Sequence, residues 1–224
     1  MEKRPVKQVT AFVGHYGSGK TEVALNFAKE LKKEYDKVCI IDLDIVNPYF
    51  RTKDAQTQME EAGIRVIASE FAGSNVDIPT LPPEVHAIFD DPSYKYVLDI
   101  GGDEDGAIVL GGFAQRLSQM DYDMFCVLNQ RRPMTATPQE AADYIREIEA
   151  ASRLYCTGLV NNTNLSWETT PEIVAQSVPY AQETATLTGK PVVMTTATQE
   201  VAAQLEGTIE NLQPIRIHIV YDWE

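Results

Sequence analysis

The chain is expected to fold as an α/β protein in three layers, with a mostly parallel central sheet and helices on both faces. Three observations predict this. Strand-like and helix-like segments alternate along the whole chain, which is the pattern of repeated βαβ units. The strand-like segments are near-continuous apolar runs, such as Val38-Cys39-Ile40-Ile41 and Met124-Phe125-Cys126-Val127-Leu128, as expected where both faces of a sheet are covered. A glycine-rich turn joins the first strand directly to the first helix.

The elements follow in order. Residues 8–13 form an apolar strand, and residues 20–35 have helical spacing, with Val23, Ala24, Phe27, Ala28 and Leu31 on one face. Residues 37–42 form a second buried strand. A helix over 52–62 is closed by Gly63, and 64–68 is a short strand. Residues 69–83 carry Gly73, Pro79, Pro82 and Pro83 and read as loop. A short helix over 84–89 and a strand over 94–100 come next. Residues 107–120 are expected to be helical in their later half, before a strand over 124–128. Pro138 opens a helix that runs to 152. The remaining pattern is strand 155–161, helix 171–188, strand 191–195 and helix 199–206. The tail over 215–221 alternates like an edge strand. With no internal repeat, low-complexity tract or long linker, residues 1–224 are read as one domain.

Composition narrows the function classes. Hydrophobic residues at 44% and charged residues at 23% are a globular balance, which argues against disorder. A formal net charge of -14 repels phosphate backbones and anionic lipids, so neither nucleic acid nor membrane is an expected partner. Cys39, Cys126 and Cys156 each lie in an apolar run and form no CxxC pair, so they read as reduced core thiols of a cytoplasmic protein. The first ten residues lack the apolar stretch of a signal peptide, and no run reaches transmembrane length.

The chemistry begins at Gly14-His15-Tyr16-Gly17-Ser18-Gly19-Lys20-Thr21, which satisfies the G-x-x-x-x-G-K-T phosphate-loop pattern between a strand and a helix. Its glycines let backbone N–H groups converge on phosphate oxygens, and the helix start adds unpaired amides and its dipole. Lys20 is expected to reach the β- and γ-phosphates, and Thr21 to offer its hydroxyl to Mg²⁺. The fold expected from this motif is that of a P-loop NTPase. His15 reads either as a surface loop residue or as a contact to phosphate or to a partner subunit.

Two acids, Asp42 and Asp44, leave the carboxyl end of the second strand, where open α/β sheets bind ligands. Asp42 suits the magnesium shell, and Asp44 suits a water-orienting or proton-accepting role. Pro48 blocks immediate helix entry, so the segment that follows is a candidate switch. The strand Tyr96-Val97-Leu98-Asp99, followed by Ile100-Gly101-Gly102, is a Walker B pattern. Asp99 is the candidate magnesium carboxylate, and Gly102 the backbone contact to the γ-phosphate. Asp103, Glu104 and Asp105 read as a solvated acidic loop.

The segments GHYGSGKT, DLDIVNPYFR and VLDIGG, in this order, resemble the group of P-loop ATPases that contains MinD, ParA, the nitrogenase iron protein, CobQ and CobB. The resemblance spans about residues 8–161. It implies that Asp42 and Asp44 belong to switch I, that Asp99 is the Walker B acid, and that ATP and Mg²⁺ are the ligands. It also implies an adenine-reading asparagine at the end of a later strand, Asn161 first and Asn162 second; two turn-forming asparagines are the plain reading of the same pair. No guanine-reading Asn-Lys-x-Asp is present, since residues 161–164 read Asn-Asn-Thr-Asn. Two departures stand out. His15 replaces the signature lysine that many members extend to a partner's nucleotide. The stretch from Asp99 to Ala114 has no cysteine to ligate a cluster, so no iron–sulfur cluster is expected.

The sequence therefore predicts a Mg-ATP-binding protein that acts as an ATPase switch or assembly factor, read by a partner protein or a second copy of the chain. An ATP-dependent kinase or ligase acting on a small metabolite is the alternative, with Tyr49-Phe50-Arg51, the 69–83 loop and Arg131-Arg132 as acceptor candidates. Arg131 and Arg132 also read as exposed residues paired with nearby acids. A nucleotide-dependent scaffold with a silent Asp44 is the third reading.

Overall fold

The computed structural model describes residues 5–44, 53–68, 83–102 and 104–218. Eight strands form one sheet: β1 Val9–Val13, β2 Val38–Leu43, β3 Arg65–Ala68, β4 Lys95–Ile100, β5 Tyr122–Leu128, β6 Gly158–Asn161, β7 Val192–Thr198 and β8 Leu212–Ile215. Their order is β3-β2-β4-β1-β5-β6-β7-β8, and every neighbouring pair is parallel. The helices are α1 Lys20–Glu34, α2 Lys53–Glu61, α3 Ala87–Asp90 behind a 3₁₀ turn, α4 Glu104–Gly111, α5 Ala114–Leu117, α6 Pro138–Ser152, α7 Pro171–Thr188 and α8 Gln199–Gln204.

The period of two along each strand divides the core into two layers. Val9, Ala11 and Val13 of β1 face one way, with Ile41, Leu98 and Cys126, and pack with Leu110 of α4, Ile145 of α6 and Tyr180 of α7. Phe12, Ile40, Val97 and Val127 face the other way and pack with Val23, Ala24 and Ala28 of α1. Parity then places the acids. Asp42 follows Ile40 and Asp99 follows Val97, so both carboxylates fall on the α1 side. The two residues are also register partners on adjacent strands.

Local signals fix the long helices. Thr137 caps α6 in a reciprocal box with Glu140, and Pro138 takes the first helical position. Thr170 caps α7, and Gly189 ends it in the left-handed conformation. Three expectations need correction. Glu104 and Asp105, two of the three residues of the expected acidic loop, are already in the first turn of α4, and acids are favourable near a helix N-terminus. A break at Gly112 and Phe113 then separates α4 from α5, so helix covers both halves of 107–120 rather than the later half alone. Among the described residues the last strand is Leu212–Ile215, and residues 216–218 of the strand expected over 215–221 lie beyond it. From Arg216 the chain leaves the sheet for α1: the Arg216 N–H donates to Asn26 at 2.8 Å and the His218 N–H to Glu22 at 2.8 Å. Residues 45–52, with Pro48 and Tyr49-Phe50-Arg51, the loop over 69–82, Asp103 and the end of the tail from 219 lie outside the described residues.

Among the described residues, no helix is long and apolar enough to cross a membrane. The three cysteines are free and buried. Burial pushes the Cys39 and Cys126 thiols up to about 12, which keeps them protonated and unreactive.

Candidate phosphate-binding site

The loop between β1 and α1 is built around backbone geometry. Gly14 has φ 147, and a Cβ there would collide with the carbonyl oxygen of Val127, so only glycine lets the chain leave β1 this close to β5. Gly19 caps α1 with φ 86 and offers no side-chain acceptor, which leaves the first-turn amides of α1 without a side-chain cap. Unpaired amides at a helix start attract anions. The Ser18 N–H turns back to the His15 carbonyl at 3.0 Å and tightens the loop.

Lys20 is 6% exposed, and its amine reaches across the loop to the His15 carbonyl at 3.4 Å. Below it lies Asp99, fully buried. The Thr21 hydroxyl hydrogen-bonds to this carboxyl, and the Lys20 charge acts on it. Burial nevertheless dominates and pushes the Asp99 carboxyl up, to about 6, with the nearby charge of Asp44 adding to the rise. One oxygen, Asp99 Oδ1, is buried with no hydrogen-bond partner. Asp42 is 2% exposed, and its carboxylate accepts the Asp44 backbone N–H at 3.0 Å, which ties the chain leaving β2 to the end of that strand.

An orphaned carboxylate oxygen beside a hydroxyl and a second buried carboxylate is a donor set for a hard cation. These residues fit Mg²⁺, which takes few protein oxygens and completes its shell with water and phosphate. Gly102 closes the group. A Cβ on it would stand 2.8 Å from the Lys20 amine and 2.8 Å from the Tyr16 backbone nitrogen. The fold thus brings together residues 14–21, Asp42, Asp44, Asp99 and Gly102, which lie on three adjacent strand ends.

Comparisons with known proteins bear on the fold. No protein-family model and no curated protein matches the chain. Solved structures do match. FlhF complexed with GTP/Mg(2+) has a TM-score of 0.54 at 16% identity, over 88% of this chain and 68% of that one. Chloroplast FtsY from Physcomitrella patens has a TM-score of 0.54 at 18% identity, over 87% and 59%. Signal recognition particle 54 kDa protein from Aeropyrum pernix K1, in complex with GDP, has a TM-score of 0.52 at 17% identity, over 87% and 42%. The chain has the P-loop NTPase fold. It spans between about two fifths and two thirds of the lengths of those proteins, and at such identities the likeness is one of fold.

In this P-loop fold the ends of β5 and β6 brace the phosphate loop. Asn162 continues the α1-side row after Val160; its amide donates to the Ser18 carbonyl at 2.7 Å, and its oxygen accepts from Thr196 at 2.6 Å. Asn161 points to the other face. It is fully buried, its amide nitrogen donates to Ser177 of α7 at 2.8 Å, and its oxygen accepts from the Thr163 hydroxyl at 2.9 Å. With both ends of its amide engaged inside the chain, Asn161 is not placed to read a base, and that expectation is corrected. Asn162, its amide likewise engaged at both ends, braces the phosphate loop.

Arg132 is exposed, as one reading had it, but its Nε–H donates to the Gly17 carbonyl at 3.0 Å, so it is tied to the P-loop. Two contacts of Tyr144 had no sequence signal. The His15 ring meets the Tyr144 ring edge-on with centroids 5.4 Å apart, and the Tyr144 hydroxyl donates to the Gly102 carbonyl at 3.1 Å.

Proposed function

We propose that the chain is a Mg-ATP-dependent switch ATPase of the MinD/ParA-like branch, a single cytoplasmic domain whose nucleotide state is read by a partner protein or a second copy. The observation that supports this most is Asp99: a buried carboxylate with an unsatisfied oxygen, set between the Thr21 hydroxyl and the Lys20 amine. Such a group costs stability unless a partner offsets it, and groups of this kind cluster at functional sites. The GTP/Mg(2+) and GDP named for the FlhF and Aeropyrum structures also support a magnesium–nucleotide at this position.

Thr21, Asp42 and Asp99 are the residues that would hold magnesium, whose charge would offset that of the β- and γ-phosphates. The loop amides and the start of α1 bind the phosphate oxygens. Lys20 stabilises the charge that builds on the transferring phosphoryl group. Asp44 orients a water molecule for attack on the γ-phosphorus and takes up its proton. The bond to the β–γ bridging oxygen breaks, leaving ADP and phosphate.

Phosphate release with Mg-ATP tests this. Asp44→Ala is expected to lower the rate by about a hundredfold, within the usual range for a lost general base. An unchanged rate would remove Asp44 from catalysis. Release that appears only when a small-molecule acceptor is added would favour a kinase or ligase instead.

The choice of ATP rests on the β6 loop. Reading guanine takes an acceptor for its N1–H and N2–H donors, commonly a carboxylate, and residues 161–167 contain no carboxylate side chain. In direct competition, ATP is therefore expected to displace GTP; tighter binding of GTP would contradict this choice.

A further inference from the structure

The inference rests on the triphosphate-dependent reading above and concerns how the site tells a triphosphate from a diphosphate. A Cβ on Gly102 would lie 2.8 Å from the Lys20 amine. The Gly102 Cα is one bond of about 1.5 Å away from that point, so it is within about 4.3 Å of the amine. A phosphoryl oxygen placed between them would need roughly 3 Å to the amine and at least as much to the Cα, or about 6 Å in all. With Lys20 as the phosphoryl-binding amine proposed above, Gly102 therefore closes the seat of a γ-phosphate against Lys20 and Tyr16.

The Gly102 carbonyl is held there by the Tyr144 hydroxyl at 3.1 Å. Tyr144 is well anchored. Its helix, α6, buries Ala141, Ile145 and Ile148 in the core, and its ring rests edge-on against His15. The same helix region holds the far end of α4. Arg153, at the end of α6, donates to the Gly111 carbonyl, and a Cβ on Gly111 would stand 2.8 Å from the Ala151 carbonyl. The segment after the Walker B acid is thus gripped by α6 at Gly102 and again at Gly111.

We propose that Tyr144 is a latch that sets the discrimination between nucleoside triphosphate and diphosphate. Its hydroxyl holds Gly102 in the γ-phosphate seat, a diphosphate binds without disturbing it, and a triphosphate must break the Tyr144–Gly102 hydrogen bond to enter. Entry of the γ-phosphate is thereby felt by α6 within the same chain. His15, at the position of the signature lysine, serves as the wall that orients the Tyr144 ring. Tyr144 is a positioning residue, since it acts through Gly102.

Tyr144→Phe keeps the ring and removes the hydroxyl. The readouts are calorimetric affinities for a non-hydrolysable ATP analogue and for ADP, both with Mg²⁺. The variant is expected to bind the analogue about fivefold more tightly, the worth of one hydrogen bond, with ADP affinity unchanged. An unchanged ratio of the two affinities, or weaker binding of the analogue, would overturn the latch. Amide hydrogen exchange of the protein alone is the second readout. Exchange at Gly101 and Gly102 is expected to quicken several-fold in the variant, and equal exchange would overturn the latch whether or not nucleotide binds. If the unmodified chain binds neither nucleotide, the proposed function fails and takes the latch with it, whereas nucleotide binding with equal exchange in the two proteins overturns the latch alone.

Discussion

Lys20→Ala is expected to abolish tight triphosphate binding. The side chain is 6% exposed and its amine points back across the loop, so its charge acts where solvent screening is weak. Its removal has two consequences. The phosphates lose their only cationic side chain within the loop motif. Asp99 also loses the nearby positive charge that partly offsets its burial. Truncating one member of a buried charged group typically costs about 2–5 kcal/mol, so affinity should fall by at least about thirtyfold. Calorimetric titration with a non-hydrolysable triphosphate measures this, with circular dichroism to show that the fold is retained. Unchanged affinity would place the phosphate site elsewhere.

Asp99→Asn is expected to separate function from stability. Phosphate release should fall at least about a hundredfold, because a neutral amide is a poor ligand for Mg²⁺. The protein without magnesium should meanwhile become more stable. Burial raises the Asp99 carboxyl from an ordinary 3.8 to about 6, so the folded chain holds this proton more tightly than the unfolded chain. Its stabilising effect is therefore fully present below about pH 4 and lost as pH rises through about 6. At about pH 7.5 the native protein carries a buried, ionised carboxylate, and asparagine relieves roughly 1–3 kcal/mol of that cost. For a chain of this length that is a rise of roughly 3–10 °C in melting temperature. Near pH 4 the two proteins should melt together. Equal melting at about pH 7.5, or retained phosphate release, would contradict the role given to Asp99.

Much of the fold was legible because its signals are local. The bounds of α6 and α7 match the expectation, since a Thr-Pro pair opens each helix and a left-handed residue, Arg153 or Gly189, closes it. The last strand was misplaced for a tertiary reason. Pro214 argues against a strand at Leu212–Ile215, while Arg216 and His218, at the start of the alternation after Ile215, hydrogen-bond to α1. The start of α4 was missed because a run of acids suits both a solvated loop and a helix N-terminus.

The site divides in the same way. The phosphate loop is contiguous in sequence, and Asp99 ends an apolar strand, so each carries its own signal. The two asparagines after β6 are neighbours in sequence but alternate across the sheet. Val160 packs on the α1 side, so Asn162 faces the phosphate loop and Asn161 faces α7. Counting parity from the apolar residues, as works for Asp42 and Asp99, would have separated them. Tyr144 had no such signal. It meets Gly102 across 42 residues of chain, and only the packing of α6 brings the two together.

The most direct test of a Mg-ATP site at this phosphate loop is a calorimetric titration of the unmodified chain with ATP, in the presence of Mg²⁺ and again with the metal chelated. Saturable binding at one site per chain is expected with Mg²⁺, with a Kd of about micromolar or tighter, and chelation should weaken it markedly. No saturable heat with Mg²⁺ present, or binding indifferent to the metal, would contradict it.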